Sequence, residues 1–271
     1  MIGAGVRLLS RVSASAASRV AFELFRTPRR HRLPERERVL LRDAAPFELR
    51  LSTSTLIRGW RWGEDSGPLV ILFHGWEGRG SQLAAFAGPL VGRGFRVVAF
   101  DAPGHGSSSG LQSSLPHFAW SLRGVADSEG TPHAIIGHSL GCAAATLAMR
   151  DGLAISKAVF VAPPLNPSDY TQQFGAIFGL SDEVIDGLRN RIEERFLRKW
   201  NDYSLATMAP AMSSDLLVVH DRDDVETPWP VGARLVELWP GSRLITTEGL
   251  GHRRILRDPS VIEEAIAFIA S

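Results

Sequence analysis

Short apolar runs alternate with helical stretches along most of this chain. Residues 69–73 (LVILF) are continuously apolar, as expected of a strand buried on both faces. Residues 96–100 (RVVAF), 134–137, 158–161, 216–220 (LLVVH) and 242–246 repeat the strand signal. Between them, residues 82–92, 115–128, 142–150 and 262–269 read as helices. Strands in alternation with helices predict an α/β fold, with a mostly parallel central sheet flanked by helices on both faces. Ahead of this series, residues 39–41 and 47–51 read as an antiparallel pair, and 56–62 as a further strand.

The alternation breaks once. From Pro163 to Pro210 there is no buried-strand signal. Ser181 is placed to cap a helix whose apolar positions Ile185, Leu188, Ile192 and Phe196 share one stripe. Asp182 and Glu183 at its start, with Arg198 and Lys199 at its end, suit the helix dipole. A short helical cap insertion over about residues 163–210 is expected, within a body spanning residues 36–271.

Residues 1–35 read as a basic N-terminal helical arm, joined to the body through a basic linker at 28–34 (PRRHRLP). Arg7, Arg11 and Arg19 interrupt any apolar core of a secretory signal. The arm is rich in Arg and Ser and has no acid before Glu23, as in a transit peptide. The plainer expectation is an amphipathic helix packed on the body; the alternative is a membrane-surface or targeting segment. The longest charge-free stretch, residues 130–149, contains Gly, Pro, His and Ser in a strand–turn–helix pattern and is not a transmembrane candidate.

The 271 residues, 44% hydrophobic and 22% charged, have the composition of a soluble globular protein. A net charge of +1 argues against a general nucleic-acid binder. That charge is uneven: residues 1–50 hold 11 arginines against 5 acids, so the remainder is mildly acidic. Cys142 is the single cysteine, so neither an internal disulfide nor a cysteine metal site can form. A cytoplasmic protein is the expectation that follows.

Chemistry concentrates in a few segments. Residues 137–141 (GHSLG) follow the apolar AII run and precede a helix of small residues. A serine at the point of such a strand-to-helix turn has its hydroxyl lifted above the sheet, and small flanking residues let strand and helix approach closely. A hydroxyl needs an adjacent base to attack a carbonyl, and the base needs a carboxylate to hold it. His252, after the last predicted strand and before the last helix, fits the base. His138 adjoins the serine and must point elsewhere, while His31, His105, His117 and His133 fall in unsuitable places. The acid should follow LLVVH, where Asp221, Asp223 and Asp224 stand; Asp224 leads into VETP, which closes the loop. The order Ser139, Asp224, His252 leaves a long first gap for the insertion.

With these residues in place, the chain resembles the α/β-hydrolase superfamily over roughly residues 40–271. The matching segments are LFHGWEG (72–78), FDAPGHGSS (100–108), IGHSLGC (136–142), HDRDDVETP (220–228) and GLGHRR (249–254). The resemblance implies a cofactor-independent serine hydrolase acting on a carboxylic ester or related acyl bond, with Ser139 as nucleophile, Asp224 as acid and His252 as base. It implies oxyanion N–H groups from Trp76 and Leu140. The family's acid loop reads G-x-x-D-x-x-x-P; here Asp221 replaces the glycine and Asp224 holds the acid's register. Relatives that cleave epoxides or carbon–halogen bonds carry aspartate where Ser139 stands. The rival readings are a non-catalytic ligand-binding protein on the same fold and a membrane-surface lipase using the basic arm.

Beside these, His74 and Gly75 are expected to shape a loop, and Trp76 either lines a substrate pocket or is a structural core residue. Cys142 reads as helix packing, Asp101 as an anchor of the turn after its strand, and Arg253 and Arg254 as solvated. No H-E-x-x-H, P-loop or strand-linked G-x-G-x-x-G is present, so no metal or cofactor is expected. The expected partner is a small acyl substrate.

Overall fold

The computed structural model describes Leu9, Ser10 and residues 12–271; Arg7 and Arg11 of the basic arm lie outside the described residues. Eight strands form one sheet in the order β1-β2-β4-β3-β5-β6-β7-β8. They are β1 (Ala45–Arg50), β2 (Leu56–Trp62), β3 (Leu69–Phe73), β4 (Arg96–Asp101), β5 (Ala134–His138), β6 (Lys157–Val161), β7 (Asp215–Asp221) and β8 (Arg243–Thr247). The first two are antiparallel, to each other and to β4; every pairing from β4 to β8 is parallel.

The apolar run in β3 has a direct cause. Leu69, Ile71 and Phe73 face one core layer, under helices α4 (Leu115–Glu129) and α5 (Leu140–Arg150). Val70 and Leu72 face the other, against residues 80–91 and the C-terminal helix α11 (Pro259–Ala270). With both faces covered, no position of β3 can be polar.

The chain winds from β3 to β4 on one side and then returns to place β5 on the other side of β3. Such a reversal leaves a crevice beyond the C-terminal ends of the two central strands, where loops diverge. The LFHGWEG loop leaves β3 here, and the GHSLG turn leaves β5.

Residues 39–41 are not a strand. They close a short helix, α2 (Glu35–Leu40), and β1 pairs with β2 instead. Three apolar residues cannot distinguish a strand from a helix end. The flanking charges could have: Glu35 and Glu37 occupy the first turn and Arg38 the last. Glu37 is also drawn inward, its carboxylate gripping Arg79 (2.7 Å to both Nε and Nη2) and accepting from the Ser81 hydroxyl (2.7 Å).

Between β6 and β7 lie helices α6 (Pro167–Phe178), α7 (Asp182–Phe196) and α8 (Leu205–Met208), the last two joined through a 3-10 turn at Trp200–Tyr203. Ser181 holds the N-cap position of α7, but its side chain makes no cap hydrogen bond. The N-terminal helix α1 (Ala14–Phe25) packs on α7 through Ala17, Ala21 and Val184. The crossing is close: a Cβ on Gly187 would lie 2.7 Å from that of Ser18. The segment after α1 is fastened rather than free. The Arg30 guanidinium donates to the carbonyls of Gly104, Gly106, Ser108 and Gly110, at 2.7–3.2 Å. Among the described residues, no helix is long and apolar enough to cross a membrane.

Candidate active site

Ser139 stands between β5 and α5 with φ 50° and ψ −121°. That left-handed conformation is strained for any residue with a Cβ, by about 1–3 kcal/mol, and persists only where the surroundings enforce it. The Ser139 N–H donates to Val161 O at 3.0 Å, and the Cys142 N–H closes the turn onto Ser139 O at 2.9 Å. Close approach explains the neighbouring glycines. A Cβ on Gly141 would sit 2.5 Å from Phe73 O, and one on Gly75 would sit 2.9 Å from the Ser139 Cβ.

The loop after β3 is set by His74. Its Nε2 accepts the Ala102 N–H at 2.9 Å, so Nδ1 carries the proton and donates to Gly75 O at 2.7 Å. Burial pushes its pKa well down, so the ring stays neutral. Trp76 follows, half-buried, its indole edge-on to His105 (5.1 Å between ring centres) and bordering a cavity. The N–H groups of Trp76 and Leu140 make no hydrogen bond among the turn and loop contacts of the described residues. Asp101 anchors its turn, accepting from Gly80 N–H (2.8 Å) and Ser107 N–H (2.7 Å). Cys142 is fully buried in α5, where burial pushes the thiol pKa well up.

The loops after β7 and β8 bring Asp224 and His252 together at 2.8 Å, carboxylate Oδ2 to ring Nδ1. The other Asp224 oxygen accepts the N–H groups of Glu226 (2.9 Å) and Thr227 (2.8 Å). Burial would raise the pKa of this carboxyl. His220, His252 and the Thr227 amide outweigh burial and hold it well below the usual carboxylate range. The adjacent aspartates have different tasks. Asp221 is fully buried and accepts from Thr247 Oγ1 (2.6 Å) and the N–H groups of Gly251 (2.9 Å), Leu250 (3.1 Å) and Asp223 (3.0 Å). Asp223 accepts the Gly249 N–H at 2.8 Å. Asp221, in the register of the family's glycine, thus binds the histidine loop to the acid loop.

Sequence reasoning missed the roles of three residues of this cluster. His138 aims away from Ser139, as it must, and its Nε2–H donates to the backbone carbonyl of His252 (2.9 Å). Burial pushes its pKa down to about 3, keeping the ring neutral. His220 donates to Thr227 O (2.8 Å) while lying 3.5 Å from Asp224 Oδ2. A histidine ending a buried strand four residues before an aspartate was the available signal. Tyr170 reaches in from α6. Its hydroxyl is buried against the Ser139 side chain but attains no hydrogen bond among the described residues.

A cavity of about 370 Å³ adjoins these groups. Trp76, Leu140 and Ala143 bound it from the body, and Tyr170, Phe174, Phe178 and Trp200 from the insertion. Leu24 to Thr27 bound it from the end of α1 and the residues after it. Among the described residues, no group of three or more His, Cys, Asp or Glu side chains is arranged to hold a metal.

Residues 70–265 match the model of the "Alpha/beta hydrolase family". The chain belongs to this hydrolase family. It is similar to a "Serine hydrolase-like protein" of Danio rerio, 29% identical over 163 residues, which are 57% of this chain and 49% of that protein. It is also similar to the "Bifunctional esterase/perhydrolase DCH" of Acinetobacter calcoaceticus, 30% identical over 138 residues, or 48% of this chain and 49% of that one. The chain therefore spans about half the length of the curated relatives it matches. Among solved structures, a bacterial membrane phospholipase A superposes with a TM-score of 0.67 over 99% of this chain and 94% of its own, at 17% identity. At that identity the likeness is one of fold.

Proposed function

We propose that this α/β hydrolase is a cofactor-independent serine hydrolase that cleaves a carboxylic ester or related acyl bond. The observation that carries the reading is the buried Asp224–His252 hydrogen bond, at the sheet edge where Ser139 sits on a strained turn. With Asp224 held ionised, His252 Nδ1 carries the proton it donates, which leaves Nε2 bare to act as base. Ser139 Oγ attacks the acyl carbon and His252 Nε2 takes its proton. The tetrahedral oxyanion is held by the N–H groups of Trp76 and Leu140, each worth roughly 10²–10³ in rate. His252 then gives the proton to the departing alcohol, and the acyl-Ser139 ester is hydrolysed by water through the same base. Asp224 holds the tautomer and stabilises the imidazolium. The insertion forms a cap that sets which acyl chain fits.

The test is labelling with a fluorophosphonate probe followed by peptide mapping, alongside a screen of acyl chain length and leaving group. The adduct should map to Ser139 and vanish in Ser139→Ala. Labelling of Ser139→Ala at the wild-type level would remove this serine as nucleophile.

A further inference from the structure

The cavity has a cationic wall that the hydrolytic step does not use. Arg26, just after α1, is buried, with its guanidinium 4.6 Å from the centre of the Phe22 ring and 5.9 Å from that of Phe196. Its side chain makes no hydrogen bond or ion pair among the described residues, and its Nε is sealed from solvent without a partner. Glu23, the acid whose charge acts on Arg26, is instead bonded by the Gln112 side chain, while Arg195 adds a second positive charge nearby. The Ser113 hydroxyl on the same wall is also buried without a partner. The Ser113 N–H, meanwhile, ties this wall to Arg26 O at 2.7 Å.

A guanidinium is charged at every working pH, and a buried charge left unpaired is strongly unfavourable. Its planar fork matches a carboxylate or a phosphate-like group. Elsewhere the cavity offers apolar surface from Phe174, Phe178 and Trp200, and the Glu77 carboxylate that also lines it lies beside Arg29 (4.0 Å) and His31 (3.7 Å). At roughly 30 Å³ per water-sized volume, its 370 Å³ holds about a dozen heavy atoms.

We infer that Arg26, with Ser113, is the anion-binding subsite of this cavity: the ligand is an acyl amphiphile of medium length that carries a carboxylate or phosphate-like group away from the scissile carbonyl. The N-terminal arm is therefore part of the substrate site. The substrate half of this inference rests on the hydrolase reading; the anion subsite does not.

Binding is measured first, by calorimetry on the full chain with octanoate, octylphosphonate and 1-octanol, none of which turns over. The anions should bind at least tenfold more tightly than the alcohol, with an advantage that shrinks as salt rises. Arg26→Gln should abolish most of that advantage and Arg26→Lys should keep part of it. The tighter of the two anions identifies the headgroup chemistry. Equal binding of anion and alcohol by the wild type overturns the inference. So does an anion preference that survives in folded Arg26→Gln, because the anion would then sit at the Ser139 end. If Arg26→Gln fails to fold, the Arg26→Lys comparison and the salt dependence decide. Turnover is measured second, with the mono-4-nitrophenyl ester of octanedioic acid against 4-nitrophenyl octanoate. The wild type should favour the charged ester in kcat/KM about tenfold or more, and Arg26→Gln should bring the ratio towards one. Binding as expected with no turnover of either ester would leave the subsite standing and remove the hydrolase reading.

Discussion

The two halves of the site differ in how their polar groups are satisfied. In the loops after β7 and β8, Asp221, Asp223 and Asp224 all have their carboxylates engaged, and His138 fastens the backbone of His252. In the cavity beside them, the Arg26 Nε, the Ser113 hydroxyl and the hydroxyls of Tyr170 and Tyr203 are buried without partners. Native proteins rarely leave such groups orphaned, since each costs about 1–3 kcal/mol. The first half has its carboxylates paired before any ligand arrives, as a device that must hold a fixed geometry should; its buried atoms without partners among the described residues are two ring nitrogens, Nδ1 of His138 and Nδ1 of His220. The second half is complete only when a ligand supplies the missing partners. The difference separates groups suited to chemistry from groups suited to selection.

If that division is right, losing Ser139 or Asp224 should lower rate on every substrate, whatever its acyl chain. The largest effect belongs to Ser139→Ala, where kcat should fall by about 10⁶ while the thermal midpoint barely moves. Asp224→Asn keeps the size but favours the wrong histidine tautomer, and kcat should fall by about 10⁴. The neighbouring aspartates sharpen the assignment. Asp221→Asn should destabilise the fold by about 1–3 kcal/mol, since it weakens the anchor for the Gly251 and Leu250 amides. Asp223→Asn should change neither rate nor midpoint substantially. A crippled Asp223→Asn beside an active Asp224→Asn would move the acid by one residue.

In the second half the expected effects are smaller and substrate-dependent. Phe174→Ala and Trp200→Ala should shift preference between short and long acyl chains by about tenfold, read as ratios of kcat/KM across an ester series. Uniform losses on all esters, with a large fall in thermal midpoint, would mark these residues as plain core and break the division. The smallest effect is one of pH. Burial pushes the Asp101 carboxyl up to about 6, so the folded state binds a proton that the unfolded chain has already lost. That contribution is fully present below about pH 4 and fades as pH rises through about 6. Asp224 acts in the opposite direction and in another window: its folded pKa is depressed, so its contribution is present above about pH 4 and is lost on further acidification. Because Asn stays neutral, as protonated Asp101 does, the thermal midpoint of wild type should fall relative to that of Asp101→Asn as pH rises from about 4 to 7 if the first sign is right.

Much of this was legible beforehand. The parallel strands announce themselves because a strand covered on both faces has no room for polar residues, and β3 is the plainest instance. The order of Ser139, Asp224 and His252 is readable because each must stand at the C-terminal end of a strand. For two arginines, what stayed hidden has one physical cause: the partner lies far away in the chain. Arg30 reads as one charge in a basic linker until the Gly104–Gly110 carbonyls arrive from 74 to 80 residues later. Arg26 carries no signal of its own, because Phe196 on α7, a ring beside its guanidinium, stands 170 residues away in the chain. The helix α9 (Trp229–Leu238) went unread behind its leading prolines, although Gly232 in it sits where a Cβ would lie 2.2 Å from His220 Nδ1. Tyr170 lies on an insertion whose directions no periodicity sets.

The hold of Arg30 on that loop bears on how the protein can be cut. A boundary drawn at residue 36, where the sequence marks the start of the hydrolase body, would discard Arg30 and release four loop carbonyls at a stroke. It would also strip the apolar cover from Val184 on α7 and open one side of the cavity to water. A truncated chain would keep its sheet and its Asp224–His252 pair yet lose one wall of the cavity beside them. For expression and for engineering, the arm and the body are a single unit.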